Sequence, residues 1–264
     1  MPEALVLAEC LRRSRRLQSL LVPSNALGGA SHGQLELVGL DDFHTSLEEL
    51  LRAKIEGKHD EGLVALADAL LENDSLTSLD LSGSCARALT ARRIATAVLA
   101  SPSLVHFSGI PLRELRANEV HSLVGSELQW GVPELHVIAS LASSCTHLTS
   151  LKLTATIHSG VFIGDDGAVP LTQLIRVGHL KTLDIRGASR TIKDEYLTKQ
   201  LVRAVLCSRT LRVFSGIPLC GRVTDIDLSA ADETPRCGVV ELKVLADVLH
   251  PRGARFSRSS KPRI

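Results

Sequence analysis

The chain has 264 residues, 44% of them hydrophobic, so it is long enough to bury a large core. Its 30 Lys and Arg side chains face 29 Asp and Glu, and this balance excludes an overall field that would recruit nucleic acid or an anionic membrane. Aromatic residues make up only 3% of the chain, so Leu, Val, Ile and Ala must fill the core. That composition is typical of a repeat protein.

The first predicted helix begins at Pro2, and its apolar pair Leu7-Ala8 lies ten residues before Leu17, which opens a strand pattern. The same offset separates three later pairs, Leu66-Ala67, Ile94-Ala95 and Ile138-Ala139, from Leu76, Leu104 and Leu148. Around these pairs, apolar residues spaced i, i+3, i+4 and i+7 predict amphipathic helices. The two clearest stripes are Leu63, Leu66, Ala67, Leu70 and Leu242, Leu245, Ala246, Leu249.

Strand patterns of the form LxxLxL follow these helices. Clear copies are Leu76-Leu79-Leu81, Leu148-Leu151-Leu153, Leu180-Leu183-Ile185 and Val223-Ile226-Leu228, and looser ones start at Leu17 and Leu47. Further strands are predicted to start at Leu104, Val120 and Leu211. The resulting unit is strand, turn, helix, turn, and about seven such units stacked together would share one core.

These units resemble the ribonuclease-inhibitor type of leucine-rich repeat, most closely in the stretch GLVALADALLENDSLTSLDLSGS. The resemblance spans roughly residues 3 to 250. It implies an α/β fold, a leucine-rich-repeat solenoid or horseshoe with a concave parallel β-sheet and convex helices. We therefore predict a solenoid over residues 1–250 and a basic, disordered tail over residues 251–264.

The chain departs from this family in its turns. The family places an asparagine eight residues after the first strand leucine, and only Asn25 satisfies that position. Hydroxyl groups at Ser84 and Thr156 are predicted to serve the buried turn amides instead. The sequence FSGIPL occurs twice, at 107–112 and 214–219, and both copies are interpreted as shortened repeats without a helix. Because no polar cap precedes the helix at Pro2, end-to-end association is also predicted.

No catalytic residue, cofactor or metal is predicted. The chain lacks a GxxxxGK[ST] loop and any CxxC, HxxxH or HxxE pair. The glycine-rich run 160–170 is interpreted as a loop in which Asp165 or Asp166 caps the next helix. Cys145 and Cys207 are predicted to be buried thiols at helix ends, and the six cysteines are interpreted as reduced.

The predicted function is that of a noncatalytic scaffold or adaptor for another protein. Polar residues between the strand leucines would project from the concave face. They are Asp80, Ser82, Thr149, Ser150, Lys152, Lys181, Thr182, Asp184, Arg186 and Asp227. The resemblance leaves two alternatives open: a GTPase-activating regulator of a small GTPase, and a truncated fragment of a larger NOD-like sensor.

The expected surroundings of the protein follow from charge and hydropathy. The first ten residues carry Glu3 and Glu9 where a secretory signal would be basic, and no uninterrupted apolar run of 18 residues occurs. The basic tail has one aromatic residue, Phe256, and not the series of interleaved aromatics typical of a nucleic-acid groove, which argues against nucleic-acid binding. A cytoplasmic protein without membrane contact is predicted, with the nucleus as the alternative compartment.

Overall fold

The structure, a computed structural model, describes residues 2–22, 36–38, 59–84, 86–126, 128–155, 163–219 and 238–249. Within these ranges the α-helices are α1 (Pro2–Arg13), α2 (His59–Glu72), α3 (Ala88–Ala100), α4 (Leu112–Arg116), α5 (Val132–Leu141), α6 (Gly164–Val177), α7 (Glu195–Cys207) and α8 (Val239–Leu249). A short 3-10 helix covers Ala188–Thr191.

The strands are short and lie at the centres of the strand patterns. They are β1 (Ser19–Leu21), β2 (Glu36–Val38), β3 (Ser78–Asp80), β4 (His106–Phe107), β5 (Ile110–Pro111), β6 (Ser122–Val124), β7 (Ser150–Lys152), β8 (Thr182–Asp184), β9 (Val213–Phe214) and β10 (Ile217–Pro218). The strand patterns at Leu47 and Val223 lie outside the described residues. The α/β class predicted from the sequence is confirmed.

The strands form two five-stranded sheets instead of the one parallel sheet expected. The first has the order β2-β1-β3-β4-β5 and the second β10-β9-β8-β7-β6. Strands β1, β3 and β4 are parallel to one another, as are β6, β7, β8 and β9. The three remaining strands, β2, β5 and β10, pair antiparallel at the edges. Both sheets are therefore mixed.

The two FSGIPL segments account for two of the antiparallel strands. In each, a Ser-Gly pair turns the chain back on itself with positive φ at both residues, 46° and 77° at Ser108 and Gly109 and 48° and 82° at Ser215 and Gly216. Two positive φ values mark a tight hairpin turn whose twist suits neighbouring strands. The interpretation of the first copy as helix-free was wrong, because α4 follows its hairpin directly.

Each helix packs against its neighbour, α1 on α2, α2 on α3, α3 on α5, α5 on α6, α6 on α7 and α7 on α8. Between helices and strands lies one core of Leu, Ile, Val and Ala, with Trp130, Phe107 and Phe214 as its largest fully buried side chains. The predicted stripe of α2 is buried at Leu63, Leu66, Ala67 and Leu70. Burial of these stripes stabilises the helices against the strands.

The corresponding prediction for α8 was wrong. Leu242 and Leu249 are exposed, and α8 instead buries Val240, Glu241 and Val244. Those three residues lie on the side of α8 that packs on α7 and the 3-10 helix. The predicted stripe lies on the other side of α8, where none of the described residues covers Leu242 or Leu249.

Turn amides and helix ends are served by groups that the sequence did not single out. Ser84 Oγ has no hydrogen-bond partner, contrary to the prediction, and Thr156 lies outside the described residues. Asn73 instead donates to Leu11 O and Ser14 O at 2.6 and 2.9 Å, and its Oδ1 accepts from Leu76 N at 2.7 Å. This buried side chain ties the end of α1 to the end of α2.

The loop aspartates were misassigned, since α6 already begins at Gly164 and both lie in its first turn. Asp165 Oδ1 accepts from the backbone N–H of Lys193 and Asp194, just before α7, and Asp166 Oδ2 accepts from Ala88 N at the start of α3. They therefore serve the N-termini of other helices. Of the two cysteines predicted to be buried, Cys145 is buried and Cys207 is exposed.

Two blocks of the chain repeat the same plan. We call residues 59–142 the first block and residues 164–249 the second block. FSGIPL recurs after 107 residues, and so does the start of the next helix, GVPEL at 131–135 and GVVEL at 238–242. Thus α2, α3 and α5 correspond to α6, α7 and α8.

Candidate protein-binding face

The second sheet presents two rows of side chains beside a buried centre. In β6, β7 and β8 the central leucines, Leu123, Leu151 and Leu183, are buried and in register. Alternate residues of a strand point to opposite sides, so the flanking residues share the other side of the sheet. One row runs through Ser122, Ser150 and Thr182, and the other through Val124, Lys152 and Asp184. We call these two rows the sheet face. It also includes the residues just beyond the strand ends: His121, Lys181, Arg186 and Arg212.

An ion pair orders one end of the sheet face. Arg186 Nε lies 3.0 Å from Asp184 Oδ1, and Arg186 Nη2 lies 2.7 Å from Asp184 Oδ2. The backbone N–H of Arg186 also donates to Asp184 Oδ1, at 3.2 Å. Such a two-pronged contact holds both side chains in one orientation. Lys152, the neighbour of Asp184 in register, is exposed beside this pair.

Basic residues collect at the N-terminal ends of these strands. A backbone ladder passes from His121 O to Thr149 N, from Thr149 O to Lys181 N and from Lys181 O to Arg212 N, at 3.0, 2.7 and 2.7 Å. The side chains of His121, Lys181 and Arg212 are exposed. The His121 ring stacks on that of His147 with centroids 5.3 Å apart. This edge of the sheet face therefore carries cationic and titratable groups.

The ten residues predicted to bind a partner do not form one cluster. Seven of them, Thr149, Ser150, Lys152, Lys181, Thr182, Asp184 and Arg186, lie together on or beside β7 and β8 of the second sheet. Asp80 and Ser82 belong to the first sheet, where Asp80 Oδ1 accepts from Ser82 N at 2.8 Å. Asp227 lies outside the described residues.

Sequence reasoning missed the contribution of β6 to the sheet face. Ser122 and the 53% exposed Val124 extend both rows by one strand. The segment VHSLVG has a glycine, Gly125, where the pattern expects its third leucine, and this hid the flanking residues. The start at Val120 and the interval to Leu148 were the available signals.

A buried serine and glutamate recur at the same place in both blocks. In the second block, Glu241 Oε2 accepts from Ser189 Oγ at 2.7 Å and from Gly238 N at 2.9 Å, and Oε1 accepts from Ser215 Oγ at 3.4 Å. Burial raises the pKa of Glu241, with the bond from Ser189 the largest opposing influence. The arrangement holds the N-terminus of α8 against the hairpin.

The first block has the same pair with fewer hydrogen bonds. Glu134 Oε2 accepts from Gly131 N at 2.8 Å, while Oε1 has no hydrogen-bond partner. Burial raises the pKa of Glu134 to about 7, with the Gly131 amide the largest opposing influence. Ser108 Oγ accepts from Leu81 N, as Ser215 Oγ accepts from Ile185 N, both at 3.1 Å.

Both hairpin serines are buried, and each Oγ accepts a hydrogen bond from a backbone N–H of a neighbouring strand end. The contacts of the serines and glutamates join the hairpin, the strand end and the start of the following helix.

Across the described ranges, no three His, Cys, Asp or Glu side chains gather in a way that could hold a metal ion. In those same ranges, no helix combines the length and the apolar character needed to cross a membrane. The chain matches no model of a known protein family and no curated protein.

Proposed function

We propose that the chain is a noncatalytic protein-binding scaffold, built as a leucine-rich-repeat solenoid, whose partner binds the sheet face. The observation that carries this proposal is the register of β6, β7 and β8, which lines up polar, solvent-reaching side chains beside one exposed valine. Parallel strands with buried central leucines and helices packed in chain order support the solenoid.

The partner surface that fits best is acidic with an apolar contact at one side. Lys152, Lys181 and Arg212 supply the cationic groups, and Val124 supplies an apolar contact beside Lys152, its neighbour in register. The Asp184–Arg186 pair is already formed, so it presents a fixed pattern without further ordering. Charges at the rim of an interface mainly raise the association rate and select the partner.

Capture from a native extract with the whole chain as bait tests the proposal. The variant Lys152→Glu with Lys181→Glu reverses two exposed charges on the sheet face, and Arg92→Glu with Arg203→Glu reverses two exposed charges on helices. We expect a protein that wild type and the helix variant retain equally and that the sheet-face variant loses at least tenfold. A partner kept by the sheet-face variant would place binding elsewhere.

A further inference from the structure

Within the part of the chain that the structure describes, nothing covers the side of α8 that faces away from α7. Leu242 is 55% exposed and Leu249 is 60% exposed, with Ala246 exposed and Leu245 half-buried between them. These four residues lie at i, i+3, i+4 and i+7, so they form one apolar stripe. We call them the α8 apolar face. An isolated exposed leucine is ordinary, whereas a complete stripe calls for a partner.

The first block shows what such a stripe packs against. Helix α5 and its C-cap carry Leu135, Ile138, Ala139 and Ala142 at the positions that correspond to the α8 apolar face, 107 residues earlier. All four are buried, at 1 to 3% exposure, and α5 packs on α6. A Cβ added to Gly167 of α6 would lie 3.1 Å from Leu135 Cδ1, so the two helices approach closely there.

Helix α1 repeats this arrangement at the other end of the chain. Its Leu7, Ala8 and Leu11 align with Ile138, Ala139 and Ala142, and they are equally buried. The helix that packs on α1 is α2. Beside the stripes of α1 and α5 a helix of the same chain packs, whereas among the described residues no helix packs beside the stripe of α8.

The two covering helices have a common sequence pattern. Both α2 and α6 place a glycine after two acidic residues, in DEG at 60–62 and DDG at 165–167. Buried apolar residues then follow at one, four and eight positions after the glycine: Leu63, Leu66 and Leu70 in α2, and Ala168, Leu171 and Ile175 in α6. In α6 the glycine lies close to Leu135 of α5, and the buried apolar residues of both covering helices belong to the shared core.

The second acidic residue of the α6 pattern accepts a hydrogen bond from the start of another helix. In α6, Asp166 Oδ2 accepts from the backbone N–H of Ala88, the first residue of α3. The corresponding group beside α8 is the N–H of Glu195, the first residue of α7. A covering helix parallel to α8 would bring its second acidic residue to this helix N-terminus.

We propose that the α8 apolar face is a docking site for an amphipathic helix of a partner protein, with two acidic residues, a glycine and apolar residues one, four and eight positions later. The helix would lie parallel to α8, as α6 lies along α5 with Gly167 near Leu135 and Gly178 near Ala142. This surface is separate from the sheet face, so either proposal stands without the other.

A peptide from this chain provides the probe. A fluorescein-labelled peptide of residues 59–74, which contains the pattern of α2, is titrated with the full-length protein and followed by fluorescence anisotropy. We expect saturable binding that Leu242→Asp weakens at least tenfold. Leu89→Asp is the matched control, because Leu89 is 83% exposed on α3, and it should leave the affinity unchanged. A peptide with Leu66→Asp should not bind.

Three results would overturn the proposal. The first is that the peptide shows no saturable binding, or binds wild type and Leu242→Asp equally. Unchanged circular dichroism melting curves would confirm in either case that both proteins fold. The second is self-association in sedimentation that Leu242→Asp abolishes, which would assign the face to a second copy. The third is a protein that does not bind the peptide but binds phosphatidylserine vesicles, with vesicle binding lost in Leu242→Asp. Residues 250–264, which follow α8, are basic, so this outcome would assign the face to an anionic membrane.

Discussion

The two blocks place a glutamate at the same buried position and surround it differently. Glu241 has hydrogen bonds to both carboxylate oxygens, whereas Oε1 of Glu134 has none. In the second block, Ser189 Oγ reaches the carboxylate, while Ser84 Oγ in the first block is also buried without a partner. An unsatisfied buried oxygen costs free energy, so the first block carries a local weakness that the second avoids.

The first block compensates with contacts that the second lacks in the described residues. Trp130 is fully buried, donates from Nε1 to Ser108 O at 2.6 Å and packs against Gly125. Asn73 joins α1 to α2, while Gly178 follows α6 at the corresponding helix end. The two blocks therefore share the same hairpin, strand and helix but are stabilised by different buried side chains.

The largest expected effect comes from removing the anchor of the first block. Trp130→Ala deletes the largest buried side chain and its hydrogen bond, and should lower the free energy of unfolding by about 3–5 kcal/mol. Denaturant titration followed by circular dichroism measures it. Tyr196→Ala, at a 68% exposed aromatic, should change it by less than about 0.5 kcal/mol. Equal decreases in the free energy of unfolding for the two variants would show that Trp130 does not stabilise the first block.

Asn73→Ala should cost about 3 kcal/mol, because it leaves the carbonyls of Leu11 and Ser14 and the N–H of Leu76 without this partner. Hydrogen exchange should show the loss at the α1–α2 junction. Asp74→Ala changes an exposed neighbour and should leave protection there intact. Unchanged exchange in Asn73→Ala would mean that α1 is held by apolar packing alone.

Glu134 should make stability depend on pH. Its folded pKa, about 7, lies above the ordinary value of 4.5, so its favourable contribution is fully present below pH 4.5 and is lost as pH rises through 7. The loss is on the order of 3 kcal/mol. Glu134→Gln keeps an acceptor for Gly131 N and should be more stable than wild type at pH 8, with little difference at pH 4.

The matched variant in the second block should gain less stability. Burial raises the pKa of Glu241 as well, but Ser189 and Gly238 donate hydrogen bonds to its carboxylate and oppose that shift, so Glu241→Gln should stabilise less at pH 8 than Glu134→Gln does. Thermal melts of both variants at pH 4 and pH 8 provide the comparison. An equal gain in both variants at pH 8 would show that the two carboxylates are equivalent after all.

The smallest effect separates the two hairpin serines. Ser108→Ala removes the acceptor for Leu81 N, and Ser215→Ala removes the acceptor for Ile185 N together with a hydrogen bond to Glu241. Ser215→Ala should therefore cost about 1 kcal/mol more than Ser108→Ala in denaturant titrations. A larger cost at Ser108 would reverse the ranking of the two blocks.

Much of the fold follows from local pattern in the sequence. The apolar pairs ten residues before each strand located α1, α2, α3 and α5, because a helix and a strand that share one core must keep a fixed separation. The hairpins were missed although Ser-Gly between apolar residues favours such turns, because the leucine pattern was given priority. Of the sheet face, β7 and β8 were predicted and β6 was not.

Other features depend on contacts between distant segments, which periodicity does not encode. Nothing local distinguishes Leu242 from Leu135, and only the presence of α6 beside α5 makes one buried and the other exposed. Glu134 and Glu241 look like ordinary acidic residues of a helix first turn until the hairpins close over them. Asn73 lies outside the position that the family pattern singles out.

Site-specific photo-crosslinking tests the sheet face most directly. A benzophenone amino acid replaces Thr182, exposed on β8, or Arg203, exposed on α7, and the protein is irradiated in native extract. The account predicts that a partner protein becomes covalently attached through position 182 and not through position 203. Attachment through position 203 alone, or through neither position, would contradict a partner bound to the sheet face.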